Sequence, residues 1–403
     1  MSGSNLQKLL ADKARKEMLE NILPFWTNVV LDKENGGFYG IVTNDLTIDK
    51  TAPKGGILNS RILWTFSQAF RIFKESGYLK IAGLAYDFLV KCFWDYEYGG
   101  IYWMADYKGN VIDAHKQMYN IAFGIYGLSE YYMASRNPES LERAIQLFRI
   151  TEEKSYDHVN RGYFEAYSRE WLPMDDNRLS DKDINEKKSM NTHLHILEAY
   201  TNLARVWDSP ELKVKLKELI EVMLELVLNN DNHHFKLFFD EWWNLKSGAI
   251  SYGHDIEGSW LLCEAANILG DAKLSCKVEE VAVKMADAVY REALDNEYGG
   301  IFNEMHTDGH LDTDKPWWPQ AEAVVGFLNA YELTGEERFL DAAFNTWKFI
   351  RNYVSDSKLG EWFSVVSREG KPFYELPKVE PWKCPYHNGR ACMEIITRLE
   401  NYL

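Results

Sequence analysis

Ten residues, Ser251 to Trp260 (Ser-Tyr-Gly-His-Asp-Ile-Glu-Gly-Ser-Trp), hold the pairing with the most chemistry in it. If a helix opens near His254, Glu257 shares its face, because residues three apart are neighbours on an α-helix. The run then turns apolar at Leu261, Leu262 and Ala265, so the two groups stand at the lip of a buried helix. An imidazole oriented by a carboxylate is a proton-transfer device near neutral pH. The same pattern also fits a capped helix with a structural histidine, and only the rest of the chain separates the two.

Polar and aromatic groups recur where other apolar stretches begin. They are Asn59-Ser-Arg61, Tyr119-Asn120, Asn191-Thr-His-Leu-His195, then Gln320 and Glu322 behind Pro316-Trp-Trp318-Pro319, and His387 behind Trp382-Lys-Cys-Pro-Tyr. Asn191 and His195 share a face at i, i+4. Pro319 and Pro385 suit a helix start, where a missing backbone donor costs nothing. Free N–H groups and the positive end of the helix dipole suit an electron-rich polyol or an enediolate. Trp318 and Trp382 are flat faces that stack on a sugar or fill a core. His193, two residues before His195, faces elsewhere, and His115, His158, His233, His234, His306 and His310 read as solvent-exposed.

The elements that must position these groups repeat. Asn35-Gly-Gly-Phe-Tyr39, Tyr98-Gly-Gly-Ile-Tyr102, Arg161-Gly-Tyr-Phe164 and Tyr298-Gly-Gly-Ile-Phe302 recur at about 63 residues with one longer gap, and weaker copies lie at Phe235–Trp242 and Leu359–Phe363. Amphipathic segments 81–93, 140–154, 211–228, 272–294 and 337–354 read as outer helices. Segments 59–73, 117–134, 191–206, 254–269, 320–333 and 386–399 are more apolar and read as inner helices. Six hairpins of alternating inner and outer helices predict an all-α fold, an (α/α)6 barrel formed by one catalytic domain over 1–403. An open α-solenoid is the alternative, since periodicity does not show closure.

Composition narrows the partners. With 45 basic and 61 acidic residues the net charge is −16, and no basic block offsets it, which argues against nucleic acid and anionic membrane. Residues 1–22 lack the apolar core of a signal peptide and no later run is long enough to span a bilayer, so a soluble cytoplasmic protein is expected, a monomer or weak homo-oligomer. The cysteines at 92, 263, 276, 384 and 392 have no CxxC spacing and read as reduced. A metal site at His193-x-His195 or His233-His234 would lack acidic ligands at usual spacings. The 14 Trp, 23 Tyr and 20 Phe fit either a large aromatic core or sugar stacking.

Ser-Met-Asn191-Thr-His-Leu-His195, Tyr252-Gly-His-Asp-Ile-Glu-Gly-Ser-Trp260, Trp317-Trp-Pro-Gln-Ala-Glu322 and Trp382-Lys-Cys-Pro-Tyr-His-Asn-Gly-Arg390 closely resemble the cellobiose 2-epimerases, a branch of the N-acylglucosamine 2-epimerase superfamily. The resemblance covers nearly the whole chain. It implies an (α/α)6 barrel that inverts C2 of the reducing-end glucose in β-1,4-linked disaccharides, without metal or nucleotide cofactor. It makes His254 and His387 the acid/base pair, with Arg61 and His195 stabilising the enediolate. Tyr119 and Asn191 would bind hydroxyls, Glu257 and Glu322 would orient the sugar or the histidines, and Trp318 and Trp382 would stack. Glu257 beside His254 would raise its basicity and fix its tautomer.

The rival readings are an aldose–ketose isomerase, an N-acylglucosamine 2-epimerase, a glycoside hydrolase using Glu257 and Glu322 as acid and base, and a non-catalytic solenoid. The polar segment 169–188 is long for a connection, and reads as either a surface excursion or a lid.

Overall fold

The computed structural model describes residues 3–400, which contain twelve long helices. The outer ones are α1 (Gly3–Glu17), α3 (Ser76–Phe88), α5 (Pro138–Lys154), α7 (Pro210–Val222), α9 (Ala272–Glu292) and α11 (Glu337–Phe349). The inner ones are α2 (Gly56–Phe73), α4 (Met118–Ser135), α6 (Met190–Ala204), α8 (Tyr252–Leu269), α10 (Trp317–Thr334) and α12 (Tyr386–Glu400). Helices α1, α3, α7 and α11 each run on into a five-residue π-helical turn. The odd helix out in the sequence reading is α1. Its polar surface hid an outer helix, and it packs on α12.

Burial separates the two layers. Every residue of α4 from Met118 to Tyr131 is buried, whereas α9 buries a stripe of Leu274, Val278, Ala282, Met285 and Val289 at helical spacing. The inner helices contact one another in the order α2, α4, α6, α8, α10, α12 and back to α2. That closed ring selects the (α/α)6 barrel over the open solenoid. Two glycines let neighbouring inner helices approach closely: a Cβ on Gly127 would lie 2.6 Å from the Ser60 carbonyl, and one on Gly326 2.7 Å from that of Ile256.

The repeated turns lock the units to each other. In five of the six units an aspartate opens the turn and receives the buried ammonium of a lysine on the segment leading to the following inner helix: Lys54 on Asp32 at 2.7 Å, Lys116 on Asp95 at 2.8 Å, Lys188 on Asp157 at 2.7 Å, Lys315 on Asp295 at 2.9 Å and Lys378 on Asp356 at 2.6 Å. The same lysine strands pair with the next unit, as Lys54–Gly55 does with Met104–Ala105 and Lys188–Ser189 with Phe238–Phe239. Val379, next to Lys378, bridges Val42 and closes this second ring. In the fourth unit Asn229 and Ile250 stand where the others have Asp and Lys, so both members are missing together. A lone buried charge would cost more than an absent pair.

No helix among the described residues is long and apolar enough to cross a membrane. Among those residues the five cysteines form no disulfide, and all but Cys276 are buried.

Lys54→Met should therefore destabilise the protein by about 3–5 kcal/mol, the cost of stranding one buried charge. The double variant Asp32→Asn/Lys54→Ile, which copies the fourth unit, should be markedly more stable than Lys54→Met in urea denaturation.

Candidate active site

The inner helices all begin at one end of the barrel, because the paired segment that precedes each of them lies at that rim. The polar residues fall in two tiers. Tyr119, Asn191, His254, Trp318 and His387 are the second or third residues of their helices. Arg61, His195, Glu257, Glu322 and Arg390 come one turn later. A cavity of about 840 Å3 opens over them, lined by Arg61, Tyr119, Asn191, His195, His254, Glu257, Trp318, Trp382 and His387. All the residues to which the family resemblance gives a role thus converge except Glu322, which lies behind the wall, while Asn59, Ser60, Asn120 and Gln320 do not line the cavity.

The histidines are held in different ways. Nδ1 of His195 lies 2.9 Å from Glu198 Oε2, and Nδ1 of His387 lies 2.7 Å from Glu322 Oε1. Nδ1 of His254 lies 2.7 Å from Ser251 Oγ, and its ring sits 4.6 Å from that of Trp318. Glu257 is therefore not the partner of His254, although the two share a helix face. It accepts from Arg390 and lies 3.8 Å from His387 Nδ1. Nor does Glu322 face the cavity: it accepts from Arg390 at 2.7 Å and from Trp260 at 3.1 Å, and holds His387. In both cases the turn of the helix carries the carboxylate down to a tier where the nearest groups belong to neighbouring helices.

Arg390 is the group the sequence reading quoted but gave no role. Its guanidinium donates to Glu198, Glu257, Glu322 and the hydroxyl of Tyr386, and lies over the rings of Trp260 and Tyr386. Glu198, three residues after His195, was missed, although its i, i+3 spacing was a usable signal. The ligand atoms of Glu257, Glu322 and His387 lie within 4.8 Å of one another, and Arg390 supplies the positive charge there. At the other wall, Arg61 donates to Tyr119 Oη at 2.6 Å and to the Trp382 carbonyl at 3.1 Å, and packs on Phe123. Nε of Arg61 and Oδ1 of Asn191 are buried without a partner.

Electrostatics follow from burial. Loss of solvent pushes His254 down to about 3, with His195 adding to the effect, and it holds His387 well below its ordinary value with Arg61 and Arg390 beside it. Burial thus favours the neutral form of both imidazoles. Burial and then the nearby Glu322 push Glu257 up to about 7. Burial opposes ionisation of Glu198 as well, but Arg390, His195 and Tyr386 overcome it and hold it at about 2.

Of the remaining histidines, His193 packs away from the cavity as expected: it takes the Tyr163 N–H at 2.8 Å and contacts the Ser189 carbonyl. His234 does not fit the expectation of exposure. It is buried between Asp255 and Glu292, at 2.7 and 3.1 Å. His115 and His233 are half-buried, while His158, His306 and His310 are exposed.

Fold and cavity together define an (α/α)6-barrel enzyme with its polar groups at the mouth of the inner ring. The N-acylglucosamine 2-epimerase (GlcNAc 2-epimerase) family model matches residues 36–389. The chain is 45% identical to a cellobiose 2-epimerase of Bacteroides fragilis, over 97% of this chain and 100% of that one. It is 42% identical to one of Ruminococcus albus, over 97% and 99%. The structure of the cellobiose 2-epimerase from Bacillus thermoamylovorans superposes with a TM-score of 0.93 at 40% identity, covering 97% of this chain and 100% of that chain. The chain belongs to the N-acylglucosamine 2-epimerase family, in the branch of the cellobiose 2-epimerases, and is a carbohydrate epimerase.

Glu257 should keep its proton to about pH 7, visible as a protonated-carboxyl infrared band that fades as pH rises through that value and is absent in Glu257→Gln. In Glu322→Gln the neighbouring negative charge is gone, so the band should fade at lower pH.

Proposed function

We propose that this enzyme inverts C2 of the reducing-end glucose of β-1,4-linked disaccharides, converting cellobiose to glucosyl-mannose and lactose to epilactose, by proton transfer through an enediolate. The observation that carries this reading is the pair of neutral, cavity-lining histidines, His254 and His387, which come from different inner helices and both pack against Trp318, at 4.6 and 5.6 Å between rings. The full-length likeness to cellobiose 2-epimerases supports the substrate class.

The hemiacetal must first open, moving the O1 proton to the ring oxygen. One histidine then accepts the weakly acidic C2 proton, for which a neutral imidazole is required. The charge left on the enediolate oxygens meets Arg61, with Tyr119 bonded to it, and His195. The negative enediolate raises the proton affinity of the other, previously neutral histidine, which takes a proton from solvent and delivers it to the opposite face of C2, while the first releases its own to solvent. Nδ1 of each ring is engaged by Ser251 or Glu322, so Nε2 does the work. Asn191 offers an unpartnered carbonyl to a sugar hydroxyl, and Trp318 and Trp382 give faces for stacking. Glu257 and Glu322 orient His387 through Arg390 and directly. Two histidines and a guanidinium at the reacting carbon suit proton transfer better than glycoside hydrolysis, which needs an acid and a base across the glycosidic bond.

The polar segment acts as a lid. Its ends are fixed, Arg169 on Asp95 and Glu97 and Lys188 on Asp157, while Asp176 and residues 178–183 line the cavity mouth. The absence of disulfides among the described cysteines supports placement in the reducing cytoplasm, where we expect a monomer or weak homo-oligomer.

Cellobiose incubated with the enzyme in D2O should yield glucosyl-mannose deuterated at C2; free glucose, or cellobiose recovered without label, would sink the reading. His254→Ala and His387→Ala should each fold and lose turnover. Shortening 176–183 should raise KM for disaccharides, and an unchanged KM would refute the lid.

A further inference from the structure

Three inner helices are docked onto the turns that precede them by one side chain each. His193 of α6 takes the N–H of Tyr163 at 2.8 Å, and Asp255 of α8 takes that of Phe235 at 2.7 Å. Gln320 of α10 takes the N–H of Ile301 at 2.9 Å and donates to its carbonyl at 2.8 Å. In two of the turns the preceding residue is glycine, Gly162 or Gly300. A Cβ there would meet His193 Nε2 at 2.6 Å or Gln320 Oε1 at 2.4 Å. In the third it is His234, whose Nδ1 lies 2.7 Å from Asp255 Oδ2 and whose Nε2 lies 3.1 Å from Glu292 Oε2. Of the three helices, only α8 is docked by a charged chain, and Asp255 is the residue next to His254.

That placement matters because His254 has no carboxylate of its own. His195 leans on Glu198 and His387 on Glu322, but His254 meets a serine hydroxyl and the Trp318 ring. The imidazole is therefore aimed by the backbone of the first turn of α8. Asp255 fixes that turn, with both carboxylate oxygens engaged and no solvent exposure.

We propose that Asp255 and His234 are positioning residues for His254, holding the first turn of α8 so that the imidazole keeps its distance and angle to the sugar carbon. The inference rests on the role given to His254 above. The charged groups facing His234 are Asp255 from α8 and Glu292 from α9, with the Tyr252 ring against it. The adjacent His233 faces Lys284, Asp287 and Arg291 of α9. Burial disfavours the imidazolium of His234, but Asp255 and Glu292 overcome that and raise it above the ordinary histidine range. Burial also holds Asp255 above the ordinary carboxylate range, so the pair is charged only between that value and the raised value of His234; as pH rises through the latter the imidazolium is lost, and kcat should fall on the alkaline side.

The test is steady-state kinetics on cellobiose across pH, with melting curves, for Asp255→Asn, His234→Ala and His234→Gln. The first two should lower kcat roughly tenfold or more while KM stays within about twofold. His234→Gln keeps an N–H for Asp255 without the charge and does not titrate, so its kcat should lie above that of His234→Ala, match the level the native enzyme reaches on its alkaline side, and show no alkaline fall. Unchanged kcat and pH profile in Asp255→Asn and His234→Ala, or a loss seen only in Tm, would overturn the proposal. If His254→Ala itself turns over, the role of His254 fails; if that variant is dead while the others match the native enzyme, only the positioning role fails.

Discussion

A buried carboxylate needs a counter-charge, and this barrel gathers three of them around one guanidinium. Glu198, Glu257 and Glu322 come from α6, α8 and α10, and Arg390 from α12, so four of the six inner helices meet in a single charge cluster. All four side chains are essentially without solvent contact. Charges in such a place are tolerable only when paired and hydrogen-bonded. Satisfying Arg390 therefore fixes the relative height and rotation of the helices that carry His195, His254 and His387. The planar fork of arginine suits this, since it engages several oxygens at defined angles where an ammonium would engage them as a point charge.

One carboxylate of the cluster stays protonated near neutrality and another is held ionised, although both are equally buried. The difference is the company each keeps. Glu198 receives Arg390, Tyr386 and His195, while Glu257 faces Glu322 across the same guanidinium. The cluster can therefore hold a proton beside His387 while keeping His195 anchored. The preference of His254 and His387 for the neutral form follows from the same exclusion of water, and it suits the proton-accepting role proposed for them.

Around this centre the barrel is held by a peripheral ring of Lys–Asp pairs, each joining a turn to the start of the next inner helix. The ring explains why the polar groups collect at one end: the paired segment before each inner helix, with its lysine in five of the six units, delivers the helix from the same rim. Its fourth member departs from the rule. There Asn229 and Ile250 remove the ion pair, and a different one, His234 with Asp255, appears five residues further along each segment.

Much of the architecture was legible in the chain itself. The period of the Gly-Gly-aromatic turns and the contrast between apolar and amphipathic segments gave six hairpins, because backbone conformation at positive φ and helical burial stripes are local properties. The same periodicity brought Arg61, Tyr119, Asn191, His195, His254, Trp318, Trp382 and His387 to one cavity. The partners of those groups were not legible. Shared helix face paired His254 with Glu257, whereas the folded chain gives Glu257 to Arg390 and Glu322 to His387, across separations of 133 and 65 residues. His234 read as exposed from its polar neighbours, yet it is buried against α8. Closure of the ring was likewise beyond the sequence. Spacing along a helix fixes which direction a side chain points; which charge it meets there depends on the neighbouring helices, and only the closed barrel sets their order and height.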